Sequence, residues 1–98
     1  MYARVITKQF SPDKVDEALR LWRDTALPVA KEQRGFKSGR LLVDRKAGKA
    51  ISIFLWETEA DAKASGEGSA YLQGVLAKFA SLLTAPPVIE HYEVVGEE

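Results

Sequence analysis

The sequence predicts one α+β domain, and the order of its strand-like and helix-like segments is the main reason. Four segments alternate apolar and polar side chains with the two-residue period of a strand, and two carry apolar residues spaced three and four apart, as on one face of a helix. Along the 98 residues the order is βαββαβ. When both helices cross to the same side of one sheet, this order gives a ferredoxin-like fold with a four-stranded antiparallel sheet.

The first strand and the first helix are joined by a turn that contains proline. Residues 2–10 alternate as a strand, and the motif SPD at 11–13 supplies an N-cap serine, a first-turn proline and an acidic residue at the positive end of the helix dipole. Pro28 predicts a kink or break in the helix, and Gly35 predicts its end. The apolar face of this helix consists of Val15, Ala18, Leu19, Trp22, Ala26 and Ala30.

The second and third strands form a hairpin. Residues 36–44 and 50–57 are strand-like, and RKAGK between them contains a glycine suited to a tight turn. TEAD at 58–61 has the spacing of a capping box and begins a second helical region, which GEGS at 66–69 interrupts.

The second helical region leads into the last strand. Its apolar face consists of Tyr71, Leu72, Val75, Leu76, Phe79 and Leu83. APP at 85–87 ends the helix, because a residue before proline avoids helical angles. Residues 88–95 are the last strand. The sequence therefore predicts a single domain over 1–95 and a short acidic tail at 96–98.

Composition excludes several classes of function. Fourteen basic and fourteen acidic residues leave no net charge, so nucleic acid is not an expected partner. Because the chain has no cysteine and only one histidine, we expect neither a metal site nor a metal cofactor. The start MYARVITKQF does not resemble a signal peptide, and no apolar run approaches the roughly 20 residues that span a bilayer. We therefore expect a cytoplasmic protein that does not enter the membrane.

The third strand, ISIFLW at 51–56, is apolar on both faces. Ile51, Ile53 and Leu55 point to one side of the sheet, and Phe54 and Trp56 point to the other. The helices cover only one side, and a bare apolar face of this size is unusual on a monomer. The sequence therefore predicts a homodimer that packs sheet against sheet, although a heterologous partner would satisfy the same pattern.

Two stretches of the sequence resemble the antibiotic-biosynthesis-monooxygenase-type domains. These are LPVAKEQRGFKSGRLLVDRKAGKAISIFLWETEADAKA at 27–64 and PPVIEHYEVV at 86–95. The resemblance implies a ferredoxin-like chain that pairs as a dimeric α/β barrel. It also implies a monooxygenase that oxidises a small aromatic or quinol-type substrate with no metal or flavin cofactor.

A second branch of that family degrades haem, and this chain lacks most of its residues. That branch uses an Asn on strand one, a Trp on strand three and a His on the second helical region. Only the Trp is present, at Trp56, because the chain contains no Asn and Ser65 stands where the His is expected. Haem degradation by this route is therefore disfavoured.

The resemblance and the residue pattern together predict a set of site residues. Trp56, Trp22 and Phe54 are the candidates for binding an aromatic substrate. Arg40 is the candidate for stabilising an anionic form of that substrate, and His91 or Tyr71 for handling protons. Each also has a structural interpretation. The aromatic residues can fill the core, His91 and Tyr71 can be ordinary strand and helix residues, and Arg40 can be an edge-strand charge.

Two further questions stay open from the sequence. Arg4, placed among apolar residues of the first strand, has the same two interpretations as Arg40. The alternative function is a non-catalytic dimeric module that binds a small molecule or serves as an accessory protein. Tight packing of the tryptophans with no cavity beside them would instead favour a purely structural dimer.

Overall fold

A computed structural model of the protein describes residues 1–97; Glu98, the last residue of the predicted tail, lies outside the described residues. The four strands form one antiparallel sheet in the order β2-β3-β1-β4, which confirms the ferredoxin-like α+β prediction. The strands are β1 (Tyr2–Gln9), β2 (Phe36–Asp44), β3 (Lys49–Trp56) and β4 (Val88–Glu93).

Four α-helices cover one face of this sheet. They are α1 (Val15–Leu21), α2 (Leu27–Lys31), α3 (Glu59–Ala64) and α4 (Ala70–Phe79). Within residues 1–97, none of the helices combines the length and the apolar character that a bilayer crossing requires.

The first helical region changes its winding just before Pro28. A π-helical turn at Trp22–Ala26 joins α1 to α2, so the interruption lies one turn ahead of the proline. Pro28 has no N–H with which to bond the carbonyl four residues back, and a widened turn accommodates that loss. The helical path continues to Lys31.

The second helical region is divided as the sequence predicts. The Thr58 hydroxyl accepts a hydrogen bond from the Asp61 N–H at 3.0 Å and caps α3, and the Ser69 hydroxyl accepts one from the Leu72 N–H at 3.1 Å and caps α4. Residues 65–69 between the two helices are called the α3–α4 linker below. The linker lies close to β1, because the Ser65 hydroxyl contacts Arg4 of that strand.

Alternation along the strands assigns each side chain to one of two faces. The inner face looks toward the helices, and the outer face looks away from them. On β1 the inner residues include Arg4, Ile6 and Lys8, which are all buried. On β3 the inner residues are Ala50, Ser52, Phe54 and Trp56, also buried, while Ile51, Ile53 and Leu55 lie half-buried on the outer face.

One expectation about β2 is wrong. Strict alternation places Phe36 on the same face as Arg40, but the register shifts between Phe36 and Ser38. This bulge at Lys37 adds one residue to the strand and so reverses the faces on either side of it. Phe36 therefore lies on the inner face opposite Trp56, while Arg40 lies on the outer face opposite Ile53.

Candidate functional site

A row of four aromatic rings lies between the sheet and the helices. The Trp22 and Phe54 ring centroids are 5.8 Å apart, those of Phe54 and Phe36 are 5.8 Å apart, and those of Phe36 and Trp56 are 5.9 Å apart. The row contains all three residues predicted to bind an aromatic substrate. At one end, the Trp22 indole N–H donates to the Ser52 hydroxyl at 3.0 Å.

Close packing at Phe54 depends on a glycine in the neighbouring strand. A β-carbon at Gly39 would stand 2.7 Å from the Phe54 ring and 2.9 Å from the Leu27 side chain. Gly39 thus allows both groups to approach the backbone of β2, which keeps the middle of the aromatic row tightly packed.

The other end of the row carries a buried arginine. Arg4 is only 1% exposed, and its guanidinium carbon lies 4.7 Å from the centroid of the Trp56 ring, within the range of a cation–π interaction. Its Nη1 donates to the Ala62 carbonyl at 3.0 Å, and Nη1 and Nη2 make long contacts of 3.5 and 3.4 Å to the Ser65 hydroxyl. Strand β1 and helix α3 therefore hold the guanidinium over the indole.

Tyr71, in the first turn of α4, completes a group that we call the Arg4 cluster: Arg4, Trp56, Ser65 and Tyr71. Three buried polar atoms of this cluster have no hydrogen-bond partner among the described residues: Arg4 Nε, Trp56 Nε1 and the Tyr71 hydroxyl oxygen. Each of these groups can donate a hydrogen bond. Buried polar groups are nearly always paired, so three unpaired donors in one cluster are unusual.

Arg4 forms no ion pair within residues 1–97, although the Glu67 carboxylate is near enough to act on its charge. Burial lowers the pKa of the Arg4 guanidinium from its ordinary value, and the nearby Tyr71 and Glu67 partly oppose that shift. Burial likewise raises the pKa of the Tyr71 phenol, and both the Arg4 charge and a hydrogen-bonding contact with Arg4, which falls outside good hydrogen-bond geometry, oppose that shift. The opposing effects show that the two side chains are close enough to influence each other.

His91 lies at the rim of the same region. It pairs in register with Arg4 on the adjacent strand, and its side chain is 31% exposed. Its Nε2 is 3.6 Å from the Glu67 carboxylate, which belongs to the α3–α4 linker. Of the predicted proton-handling residues, Tyr71 is therefore inside the cluster and His91 is at its edge.

Arg40 does not join the other predicted site residues. It lies on the outer face in a shallow groove lined by Ser38, Arg40, Ile53, Leu55 and Glu97. The sheet separates it from Trp56, so the cation in contact with the aromatic row is Arg4.

The charge of Arg4 is visible in the sequence as a break in the apolar pattern of β1. On β1 the inner positions read Tyr2, Arg4, Ile6 and Lys8, so two charges interrupt an otherwise apolar face. Lys8 is 5% exposed, and its ammonium nitrogen lies 4.7 Å from the centroid of the Phe79 ring. Burial lowers the pKa of Lys8 to about 8. The sequence marked Ser65 only as the residue that stands where the haem-degrading branch has its His, and it did not mark Glu67, because the contacts of both residues depend on where the α3–α4 linker folds.

The Arg4 cluster presents hydrogen-bond donors beside aromatic rings. Within the part of the chain that the structure describes, no three His, Cys, Asp or Glu side chains are grouped so as to hold a metal ion. The unpaired atoms of the Arg4 cluster are donors, and they adjoin two aromatic surfaces, Trp56 and Phe36. This combination suits an aromatic molecule that carries oxygen substituents.

Comparison of the sequence with known proteins found two relatives in Mycobacterium tuberculosis (strain ATCC 25618 / H37Rv). The chain is 29% identical over 96 residues to the uncharacterized protein Rv2557, covering 98% of the chain and 42% of the relative. It is 37% identical over 67 residues to the uncharacterized protein Rv2558, covering 68% of the chain and 28% of that relative. The chain thus spans about two fifths or less of the length of these curated relatives. No protein-family model matches the chain.

Comparison with solved structures was more informative about the fold. A monooxygenase from the gene ActVA-Orf6 of Streptomyces coelicolor, in complex with the ligand nanaomycin D, aligns with a TM-score of 0.83 at 17% identity, covering 99% of this chain and 89% of that one. A crystal structure of an antibiotic biosynthesis monooxygenase aligns with a TM-score of 0.74 at 15% identity over 98% and 100% of the two chains. Rv0793 from Mycobacterium tuberculosis aligns at 0.71 and 21% identity over 98% and 96%. The resemblance read from the sequence is therefore confirmed at the level of the fold: the chain has the fold of the antibiotic biosynthesis monooxygenase domains.

Proposed function

We propose that the protein is a cofactor-independent monooxygenase-like enzyme that acts on a small aromatic or quinol-type substrate at the Arg4 cluster. The observation that carries the proposal is the set of three unpaired buried donors on Arg4, Trp56 and Tyr71, next to the aromatic row. The similar fold of a monooxygenase that binds nanaomycin D supports the choice of substrate class.

The overall reaction in this proposal needs only the substrate and dioxygen. An activated CH₂ group of an anthrone-like substrate and O₂ give a carbonyl group and water, so both oxygen atoms and all four electrons are accounted for. A hydroquinone and O₂ give instead the quinone and H₂O₂, a two-electron oxidation. The protein orients the substrate, excludes bulk water and accepts or returns protons. Tyr71 is placed to donate to a substrate oxygen, and His91 is placed to exchange protons with solvent at the rim.

Substrate entry in this proposal requires movement of the α3–α4 linker. Trp56 is fully buried and Arg4 nearly so, and Ser65 and Glu67 of the linker contact Arg4 and His91 respectively. Displacing the linker and Tyr71 would expose the cluster. Loops that close over a site in this way protect reactive species from water.

The proposal also includes pairing of two copies through the outer face. Ile51, Ile53 and Leu55 are half-buried there, and Leu42 of β2 and Tyr92 of β4 remain 46% and 51% exposed. A second copy would cover this apolar strip. We expect native mass spectrometry to report a dimer, and Ile53→Lys to shift it to a monomer because a buried charge in the interface is costly. A monomeric wild-type protein at micromolar concentration would contradict the pairing.

The decisive test of activity is oxygen consumption with a panel of anthrones and hydroquinones. We expect uptake of O₂ and a ketone or quinone product, and Trp56→Leu should lower kcat/KM by at least about tenfold, since about 1.4 kcal/mol of transition-state stabilisation corresponds to that factor. Phe79→Leu is the matched control, because Phe79 is an equally buried ring outside the Arg4 cluster.

The alternative function has a distinct outcome in the same assay. Saturable binding of the aromatic compounds without any O₂ uptake would select the non-catalytic binding module. It would also contradict the enzyme proposal.

A further inference from the structure

We propose that Lys8 is the amine of a second ligand site, where it binds a small apolar aldehyde covalently as an imine. This site lies at the Trp22 end of the aromatic row, whereas the Arg4 cluster lies at the Trp56 end. It is therefore independent of the proposed function. Three observations carry the inference: the burial of the amine, the cavity beside it, and the charge of the imine that would form.

The first observation is an amine buried without an acid. Lys8 is 5% exposed, and none of the ion pairs within residues 1–97 includes it. Its Nζ lies 4.7 Å from the centroid of the Phe79 ring, a neutral partner. Because burial lowers the pKa of Lys8 to about 8, about one side chain in ten is neutral at pH 7, against about one in three thousand for an ordinary lysine. The neutral form of a desolvated lysine is the nucleophile that condenses with carbonyl compounds.

The second observation is a small cavity beside the amine. Its volume is about 10 Å³, which is room for about one water molecule. The lining comes from β1, α1, the π-helical turn, β2, β3 and α4, and among the described residues none in this lining except Lys8 titrates. The indole N–H of Trp22 in the lining already donates to the Ser52 hydroxyl. Leu19 and Leu41 of the lining are half-buried, so the cavity lies near the surface and a short apolar chain can reach Nζ between them.

The third observation is the charge of the product. The neutral Lys8 nitrogen forms a bond to the aldehyde carbon, the carbon–oxygen double bond breaks, and the oxygen leaves as water, so nothing is oxidised or reduced. The proton that the ammonium loses beforehand passes to solvent. The imine is neutral, so an apolar cavity that disfavours the ammonium favours the imine. The other buried cation of β1, Arg4, cannot take this step, because a guanidinium keeps its proton in proteins.

The experiment is reductive trapping on the whole protein at pH 7. The probe is propanal with sodium cyanoborohydride, which reduces an imine to a stable secondary amine, and peptide mass spectrometry reports each lysine separately. We expect Lys8 to be modified at least about tenfold faster than Lys78, an exposed lysine of α4, because one unit of pKa is worth about tenfold in the neutral fraction. With the branched trimethylacetaldehyde, which the small cavity excludes, this preference for Lys8 should be lost.

Variants test the cavity and the amine separately. Leu19→Ala removes part of the cavity wall and should restore the preference for Lys8 with trimethylacetaldehyde. Leu21→Ala is the matched control, because Leu21 is a half-buried leucine of the same helix outside this lining, and it should not restore the preference. Propanal without reductant should raise the Tm of the wild type but not that of Lys8→Met, because only the wild type can exchange a buried charge for a neutral imine.

Three results would overturn the inference. The first is equal modification of Lys8 and Lys78 by propanal. The second is the same preference for Lys8 with both aldehydes, which would indicate a reactive amine without a site that selects its ligand. The third is an equal change of Tm in wild type and Lys8→Met. None of these measurements depends on O₂ uptake, so the site at Lys8 and the enzyme proposal can fail separately.

Discussion

Strand β1 carries two buried cations four residues apart, and they are in different environments. Arg4 lies 4.7 Å from the Trp56 ring centroid, and Lys8 lies 4.7 Å from the Phe79 ring centroid. Both point into the layer between sheet and helices. By burial and by contact with an aromatic ring, the two residues are nearly equivalent.

Their polar surroundings separate them. The Arg4 guanidinium donates to the Ala62 carbonyl and contacts the Ser65 hydroxyl, and it lies next to the unpaired Tyr71 hydroxyl. Lys8 is surrounded by apolar groups, which include Phe10, Ala18, Trp22, Leu41, Ala50 and Phe79. Burial is the cause of its lowered pKa of about 8.

The comparison shows that a buried cation does not by itself indicate a binding site. Lysine can become neutral at moderate cost, so an apolar environment tolerates Lys8. Arginine cannot, and the fold provides Arg4 with acceptors and neighbouring donors instead. The cluster of polar groups around the cation, and not the cation alone, marks the candidate site.

The largest expected effect is a gain in stability when Lys8 is replaced. Its folded pKa of about 8 is below the ordinary value of 10.5, so the unfolded state binds more protons in that window and stability rises with pH across it. Below about pH 8, the free-energy cost of keeping Lys8 protonated in the folded state reaches its full value of about 3 kcal/mol. Lys8→Met should therefore be more stable than wild type by about this amount near pH 7 in urea denaturation.

The pH dependence of this difference is the sharper measurement. The stabilisation by Lys8→Met should shrink by about 2 kcal/mol between about pH 7 and about pH 9.5, because wild-type Lys8 becomes neutral in the folded state over that range. The difference between the two proteins cancels the titration of the tyrosines they share. A stabilisation that does not change with pH would show that Lys8 is not the titrating group.

A smaller effect, a loss of stability, is expected when Arg4 at the other end of β1 is replaced. Arg4→Met places an unbranched apolar side chain at this position and removes the shorter of the two side-chain hydrogen bonds to the Ala62 carbonyl, as well as the long contacts to the Ser65 hydroxyl. The unfolding free energy should fall by about 1–2 kcal/mol. The measurement is the same urea denaturation near pH 7, with Lys8→Met beside it. If Arg4→Met were stabilised as much as Lys8→Met, the surroundings of Arg4 and Lys8 would not differ as described.

The smallest effect is expected at Ser65. Its hydroxyl contacts Arg4 at 3.4 and 3.5 Å, which is long for a hydrogen bond, and it also donates to the Asp61 carbonyl at 3.0 Å. Ser65→Ala should lower the unfolding free energy by about 0.5–1 kcal/mol. A loss of stability as large as that of Arg4→Met would contradict the weak contact between Ser65 and Arg4.

Much of the fold follows from local sequence patterns. The strand bounds, the hairpin, the Thr58 cap and the division of the second helical region were predicted from alternation, turn residues and capping spacing, and the structure agrees within one or two residues. Ser11 is the exception among the caps, since its side chain makes no capping hydrogen bond. These features depend on residues close in sequence, which is why sequence patterns report them.

The candidate site was less predictable. Trp56, Phe54 and Trp22 do lie in one aromatic row, and Tyr71 and His91 lie at or beside the Arg4 cluster. Whether these residues act on a substrate stays a prediction. Arg40 was predicted to stabilise an anionic form of the substrate, which requires it to lie on the same face as Phe36, but the bulge at Lys37 places Arg40 and Phe36 on opposite faces.

By itself, the sequence determined the order of elements and the two-sided apolar character of β3, because each depends on periodicity within one strand or helix. It left the position of Arg4 open between an inward and an edge charge. Only the tertiary structure decided which of the two buried cations has polar neighbours. The acceptors of Arg4 come from α3 and its linker, about 60 residues away along the chain, while the chain around Lys8 offers only apolar groups. Contacts between distant segments depend on how the helices pack on the sheet, and no local pattern encodes that.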